Sequence, residues 1–179
     1  MYYKTTLRSP VGVLTLASDG ENLCGLWMEG QKYYGQSISQ PMAEKDDLPV
    51  FSAAKNWLQQ YFAKERPSLS ALSLSPMGSK FRQLVWQILY QIPYGQVITY
   101  GDIAKQVALQ MGLPSMSGQA VGGAVGHNSI SIIIPCHRVV GSNGSLTGYA
   151  GGIDTKIKLL QLEGANISSF HVPKTGTAL

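Results

Sequence analysis

Cysteine is nearly absent from this chain: only Cys24 and Cys136 occur among 179 residues, far apart in sequence. Such a pair builds neither a disulfide framework nor a CxxC metal knuckle, so a reducing cytoplasm is the expected compartment. Long apolar runs are missing too. None approaches the ~20 residues a membrane span needs, and Met1 to Pro10 lacks the basic-then-apolar order of a secretory leader. Charged residues make up only 13% of the chain and hydrophobic ones 44%, which excludes a disordered chain. The length suffices for one large domain or two small ones with a real core.

The net charge of +4 is unevenly spread. Residues 1–77 hold seven basic and seven acidic side chains, whereas residues 78–179 hold seven basic and three acidic. All of the excess therefore lies in the second half, the half that would face a polyanion. Taken alone this is a weak signal, because many enzymes without a nucleic-acid role carry such a bias.

The first thirty residues read as β-structure. Tyr3, Thr5 and Leu7 alternate, as do Leu14 and Leu16, and the turn at 19–22 precedes the apolar run Leu23 to Met28. Phe51, Ala54, Trp57, Leu58, Tyr61 and Phe62 then recur at helical spacing, with Pro67 ending the segment. A Ser-rich stretch, 68–79, reads as a linker, which places a domain boundary near residue 78.

Phe81, Leu84, Val85, Ile88, Leu89 and Ile92 form the clearest helical stripe, stopped by Pro93-Tyr94-Gly95. Thr99 stands as an N-cap with Asp102 three residues on, and Ser117 as a second N-cap before Gln119-Ala120-Val121-Gly122-Gly123-Ala124-Val125. Helix, turn and short helix in a basic half are compatible with a helix-turn-helix. The glycine pair weakens a helix but lets its backbone approach a bulky partner. Ile130 to Ile134 reads as a buried strand or extended segment, Asp154 as the cap of a last helix, and residues 166–179 as a loose tail.

Pro135-Cys136-His137-Arg138 is the densest reactive cluster. A thiol attacks as thiolate, and a neighbouring His or cation lowers its pKa. Side chains adjacent in sequence rarely face each other, so His137 would act on Cys136 through a water. Glu163 on the last helix is the candidate to orient that His, giving a Cys–water–His–Glu relay. A free Cys is more often inert core, and Cys24, inside its strand-like run, fits that description. The dyad also fits a Cys-His hydrolase or transferase acting on small molecules.

Ile-Pro-Cys-His-Arg-Val-Val at 134–140 resembles the signature of the O6-alkylguanine-DNA alkyltransferases (methylated-DNA–protein-cysteine methyltransferases). The likeness extends, in the family's order, through Phe81 to Trp86, Ile92 to Gly95, Thr99-Tyr100, Ala120 to Ala124, Asn128, Gly148 to Gly152, and Leu159-Leu160 with Glu163-Gly164. It covers about residues 78–165; the first part is similar only in strand-and-helix layout. The resemblance implies an α+β protein. Residues 1–78 would be a small β-sheet support domain with a helix, ribonuclease H-like in layout. Residues 79–165 would be a helical DNA-binding domain with a helix-turn-helix, and 166–179 a tail.

The same resemblance implies single-use DNA repair, in which Cys136 takes the alkyl group from O6 of guanine, and in some members from O4 of thymine. Tyr100 would donate to the base, while the backbone at Tyr149 and Ala150 would line the pocket. The carbonyls of Cys136 and Val139 would read the exocyclic amine. Asn128 would hold the turn presenting the thiol, and His137 with Glu163 would activate it. Gln119, Ala120, Gly122 and Gly123 would meet the minor groove of double-stranded DNA, whose target base must be rotated out. No cofactor and no metal are expected, and the chain would act as a monomer. His127, His171, Lys80, Arg82, Lys105 and Lys156 read as surface residues. Two departures stand out: Gln119 occupies the place of a common Arg, and the turn between Val107 and Ser117 is about five residues longer than in better-known members; the first leaves open the alternative of a non-repairing module that binds alkyl lesions in DNA.

Overall fold

The computed structural model describes residues 1–174 and divides into two compact units. The first comprises Met1–Gly78 together with Ser129–Ile133, and the second Ser79–Asn128 with Ile134 onward.

In the first unit, β1 (Tyr2–Ser9), β2 (Gly12–Ser18), β3 (Leu23–Met28) and β4 (Met42–Glu44) form one sheet in the order β3-β2-β1-β4. The first three are antiparallel neighbours, and β4 joins β1 in parallel. Helix α1 (Pro49–Phe62) buries Phe51, Ala54, Trp57, Leu58 and Tyr61, the stripe its sequence spacing predicts. It ends at Phe62, before Pro67, because Lys64 turns left-handed at φ 63°. A separate cluster gathers Ala17, Cys24, Trp27 and Ile38, so Cys24 is core as expected. Burial and the nearby Asp19 push its thiol up to about 11, which leaves it unreactive.

Residues 130–134, expected as a buried strand or extended segment, are buried but form no regular strand. Leu26 donates to Ser129 (2.8 Å) and accepts from Ser131 (2.9 Å), a single parallel bridge on the β3 edge. The chain then turns at Ile132, held at φ 69° while fully buried. A β-branched residue is disfavoured there by roughly 1–3 kcal/mol, so surrounding contacts must enforce the turn.

The second unit is mainly helical. It contains α2 (Lys80–Leu89), α3 (Tyr100–Met111), α4 (Gly118–Gly126) and α5 (Ile153–Leu162). The short strands β5 (Ile98–Thr99) and β6 (Val139–Val140) pair in parallel. Thr99 and Ser117 cap α3 and α4 as expected, with the Thr99 hydroxyl accepting from Asp102 N–H at 3.0 Å. Gly112 closes α3 at φ 65°, in the left-handed region that suits glycine. Despite its glycine pair, α4 stays helical. Val121, Ala124 and Val125 are buried, and the Trp86 indole donates to Ala124 carbonyl at 2.9 Å.

Two further expectations are revised. The cap of α5 is Gly152 at φ 88°, with Asp154 inside the first turn instead. The stretch after residue 165 is not loose as far as it is described. His171 N–H donates to Gly144 carbonyl (3.0 Å), and His171 carbonyl accepts from Leu146 N–H (2.9 Å). Residues 175–179 lie outside the described residues. No described helix is long and apolar enough to cross a membrane.

The Trp27 ring roofs Gly25, where an added Cβ would come within 2.0 Å of it. Since Trp27 is only 1% exposed, it has no space to retreat. Gly25→Ala is expected to lower stability by roughly 1–3 kcal/mol. An unchanged urea midpoint with unchanged m-value would show that the ring can move aside.

Candidate active site

Cys136, His137 and Arg138 form one 3-10 turn between Pro135 and β6. Such a turn directs successive side chains apart, so the thiol and imidazole diverge although their residues are neighbours. The Cys136 thiol receives the Asn128 Nδ2–H at 3.0 Å, and the same nitrogen donates to Ile134 carbonyl at 2.8 Å. Asn128 thus ties both ends of the excursion 129–133 together and places a donor on the sulfur.

His137 faces the other way, with Nε2 at 2.6 Å from Glu163 Oε1. Arg138 clamps the same carboxylate through Nε to Oε2 (2.8 Å) and Nη2 to Oε1 (2.9 Å), while its Nη1 donates to Ile92 carbonyl (2.6 Å). Gly95 N–H adds a further bond to Oε2 at 3.1 Å. Both the Glu163 and His137 side chains are fully buried. Burial alone would push the carboxyl up, but His137 and Arg138 outweigh it and hold Glu163 well below the usual carboxylate range. Burial keeps His137 below its ordinary value, with the Arg138 and Lys156 charges acting the same way against the pull of Glu163. The imidazole is therefore neutral at pH 7. With Nε2–H donating to Glu163, the ring nitrogen able to accept a proton is Nδ1.

Burial also raises the Cys136 thiol, opposed by the Asn128 hydrogen bond and the charge of Lys156. Lys156 corrects the surface assignment made from sequence: its side chain is wholly buried. Its ammonium donates to the carbonyls of Val139 and Thr147, the latter at 2.8 Å. Burial pushes it down to about 8, with Cys136 pulling the other way. The signal was present in the sequence: Lys156, Leu159, Leu160 and Glu163 recur at i, i+3, i+4 and i+7 on the inner face of α5. Val139 carbonyl, expected to read the base, already accepts from Lys156.

Tyr100 opens α3, and its hydroxyl donates to Thr147 carbonyl at 3.1 Å. Gly148 lies so close that a Cβ there would stand 2.4 Å from the Tyr100 hydroxyl, and Gly122 of α4 lies against the same ring. Tyr149 is buried edge-on to His137, ring centres 6.4 Å apart, and Ala150 follows it half-buried. Gln119, Ala120 and Gly123 are exposed along α4, with Gly122 half-buried beside them. That helix consequently offers an accessible face almost without side-chain bulk. Arg138, Thr147 and Gly95 also belong to this arrangement; Arg138 and Gly95 fall in the family-like blocks of the sequence without a role assigned there, and nothing in the sequence marked Thr147. Among the described residues, no group of three or more His, Cys, Asp and Glu is placed to hold a metal.

The family model described as 6-O-methylguanine DNA methyltransferase, DNA binding domain, matches residues 80–165, and that of its ribonuclease-like domain matches residues 1–76. The chain belongs to the 6-O-methylguanine DNA methyltransferase family. It is 42% identical to the methylated-DNA--protein-cysteine methyltransferase of Haemophilus influenzae over 90% of this chain and 86% of that one. Identity to the protein of the same name from Methanosarcina acetivorans is 44%, over 92% of this chain and 99% of that one. The crystal structure of Mycobacterium tuberculosis O6-methylguanine methyltransferase superposes with a TM-score of 0.77 at 44% identity, covering 91% and 93% of the two chains. A structure of the Mycobacterium tuberculosis protein in complex with DNA gives 0.76 at 40% identity, covering 94% and 97%. In this methyltransferase, then, the mixed α+β architecture expected from the sequence is the family's own.

The buried carboxylate makes the methyltransferase sensitive to acid. A depressed Glu163 pKa contributes stability that is full above the unfolded value of 4.5 and is lost as pH falls through the lower folded value. Glu163→Gln leaves Arg138 buried without its counter-charge and is expected to cost roughly 3 kcal/mol at pH 7. The gap between wild type and variant should narrow steadily below pH 4.5 in urea titrations. A gap that stays constant from pH 7 to pH 3 would overturn this assignment.

Proposed function

We infer that this chain repairs DNA by moving a methyl or other alkyl group from O6 of guanine in a duplex to its own Cys136, once per molecule and as a monomer. The observation that carries the reading is the thiol held by Asn128 beside a buried His137–Glu163–Arg138 network, in a chain matched over both domains by one family.

In the proposed reaction the thiol proton passes to His137, through a water bridging to Nδ1. The thiolate lone pair then forms the S–C bond as the C–O6 bond breaks, and that bonding pair remains on guanine as its O6 carbonyl. Negative charge develops on the ring, and the Tyr100 hydroxyl turns its one hydrogen from Thr147 carbonyl to the ring to meet it. Overall, the proton that began on sulfur finishes on guanine, and a thioether remains on Cys136. A thioether has no leaving tendency under these conditions, which is why the protein acts once.

Attack inside a duplex requires the nucleotide to be rotated out, at a cost of a few kcal/mol. The slim face of α4 suits entry into the minor groove, where Gln119 would fill the space left by the extruded base. Gln hydrogen-bonds without adding charge, so it forgoes one phosphate-attracting cation.

Two outcomes are expected. After mixing with a duplex carrying O6-methylguanine, intact-mass analysis should show one added methyl per chain, mapped to Cys136 and absent in Cys136→Ser. Duplex binding with unchanged mass would replace this reading with that of a lesion-binding module. Gln119→Arg should tighten duplex binding about threefold to tenfold at matched salt and steepen the salt dependence by about one counterion. Equal affinities would remove the significance assigned to that position.

A further inference from the structure

We propose that the turn joining α3 to α4 is an apolar extension of the DNA-facing surface, with Leu109, Met111 and Leu113 resting on the deoxyribose wall of the minor groove beside the lesion. The inference rests on the repair reading above and names how a chain with no cation at residue 119 holds the duplex.

Among the described residues six large hydrophobic side chains are exposed, and three of them are Leu109, Met111 and Leu113, at 82%, 47% and 42%. Apolar side chains gathered in this way mark a contact surface, whereas scattered ones need no explanation. The turn that carries them is fixed at both ends. Gly112, at φ 65°, donates its N–H to Leu109 carbonyl (3.2 Å), and Leu113 N–H donates to Ala108 carbonyl (2.9 Å). These two bonds make the Schellman closure that settles where Leu113 stands. At the far end the Ser117 hydroxyl accepts from Gln119 and Ala120 N–H. The apolar surface is therefore preorganised, and ordering it on binding costs little.

Between α3 and this turn lies a groove of about 490 Å³. Buried Ala104 and Ala108 line it with Leu109, Leu113 and Met116, and Gly118 of α4 borders it. Gly118 is followed by Gln119 and Ala120, so the groove continues into the slim face of α4, inside a domain whose family model is described as DNA binding. Charge narrows the choice of occupant. Residues 106–137 contain no Lys, Arg, Asp or Glu, and Lys105, the charged residue lining the groove, lies 3.2 Å from Asp102. The surface thus has no free cation to seek a phosphate and no set of charges to match a polar protein face. It suits the sugar edges that wall the minor groove, where DNA-binding proteins place Leu, Met and Pro.

A combined Leu109→Ala, Met111→Ala and Leu113→Ala variant removes apolar area and no charge. Its affinity for an O6-methylguanine duplex should fall about tenfold, with the slope of log affinity against log salt unchanged, because this contact releases no counterion. The heat-capacity change of binding should become less negative, as lost apolar burial requires. The three side chains are exposed, so the variant is expected to fold; Leu113→Ala alone, with a loss of about threefold, serves if it does not. Unchanged affinity would overturn the proposal, as would a loss accompanied by a flatter salt slope, which would make the contact ionic. Self-association of the wild type without DNA, abolished in the variant while duplex affinity stays the same, would assign the surface to a second copy instead. A wild-type chain that binds the duplex without taking up methyl fails the repair reading alone, whereas one that binds no duplex fails both.

Discussion

Everything around the thiol depends on the Glu163 carboxylate. An unpaired carboxylate buried this deeply would neutralise itself, since desolvation costs several kcal/mol. Here it stays ionised because Arg138 grips both oxygens, Gly95 N–H adds a third donor, and His137 takes the remaining approach. The arrangement also determines the imidazole. A carboxylate accepting from Nε2–H leaves Nδ1 as the basic ring atom, the one to which the proposed reaction delivers the thiol proton. The end of α5, an unfavourable place for an anion on dipole grounds, is offset by these partners. Gly95 is part of the same solution: at φ 76°, with Glu163 carbonyl 2.8 Å from where a Cβ would sit, only glycine can bring its N–H to the carboxylate.

A second dependence runs through backbone carbonyls. Val139 and Thr147 carbonyls receive the buried Lys156 ammonium, and Thr147 also receives Tyr100. Lys156 is thereby solvated by dipoles where water is absent, which limits how far burial depresses it. A cation kept near Cys136 favours thiolate, while the carbonyls that hold it come from the two chain segments flanking the site. Packing and electrostatics are thus one feature: any shift of the 141–152 loop moves a charge, a hydroxyl and the Tyr149 ring together.

How much of this was legible in the sequence follows from what each residue type reveals locally. Periodicity located α1, α2 and the N-caps of α3 and α4, since caps and stripes are properties of neighbouring residues. It missed the excursion 129–133 because an apolar run reads alike whether it forms a strand or a buried turn. The Cys-His adjacency and the family-like order of Asn128, Tyr100 and Glu163 pointed to the thiol site. What stayed hidden was carried by backbone: Thr147 and Ile92 accept through their carbonyls, and His171 is tied to residues 144–146 through one N–H and one C=O, which no side-chain pattern records. Lys156 was misread for a different reason. A lysine is solvated by default, and only its place on the stripe with Leu159, Leu160 and Glu163 argued otherwise.

The direction of the Cys136 shift also bears on a protein that acts once. A thiol held as thiolate would transfer faster, but it would equally react with any oxidant or electrophile that reached it, and one such event would end the molecule's use. Burial at 4% exposure raises the thiol and limits the access of such reagents, while Asn128 and Lys156 oppose that rise. In the proposed reaction Nδ1 of His137 takes the thiol proton when a substrate carbon is in place. On this view, the elevated resting pKa and the activating network are complementary. Burial shields the resting thiol, and in the proposed reaction the Glu163-oriented imidazole takes its proton at the moment of attack.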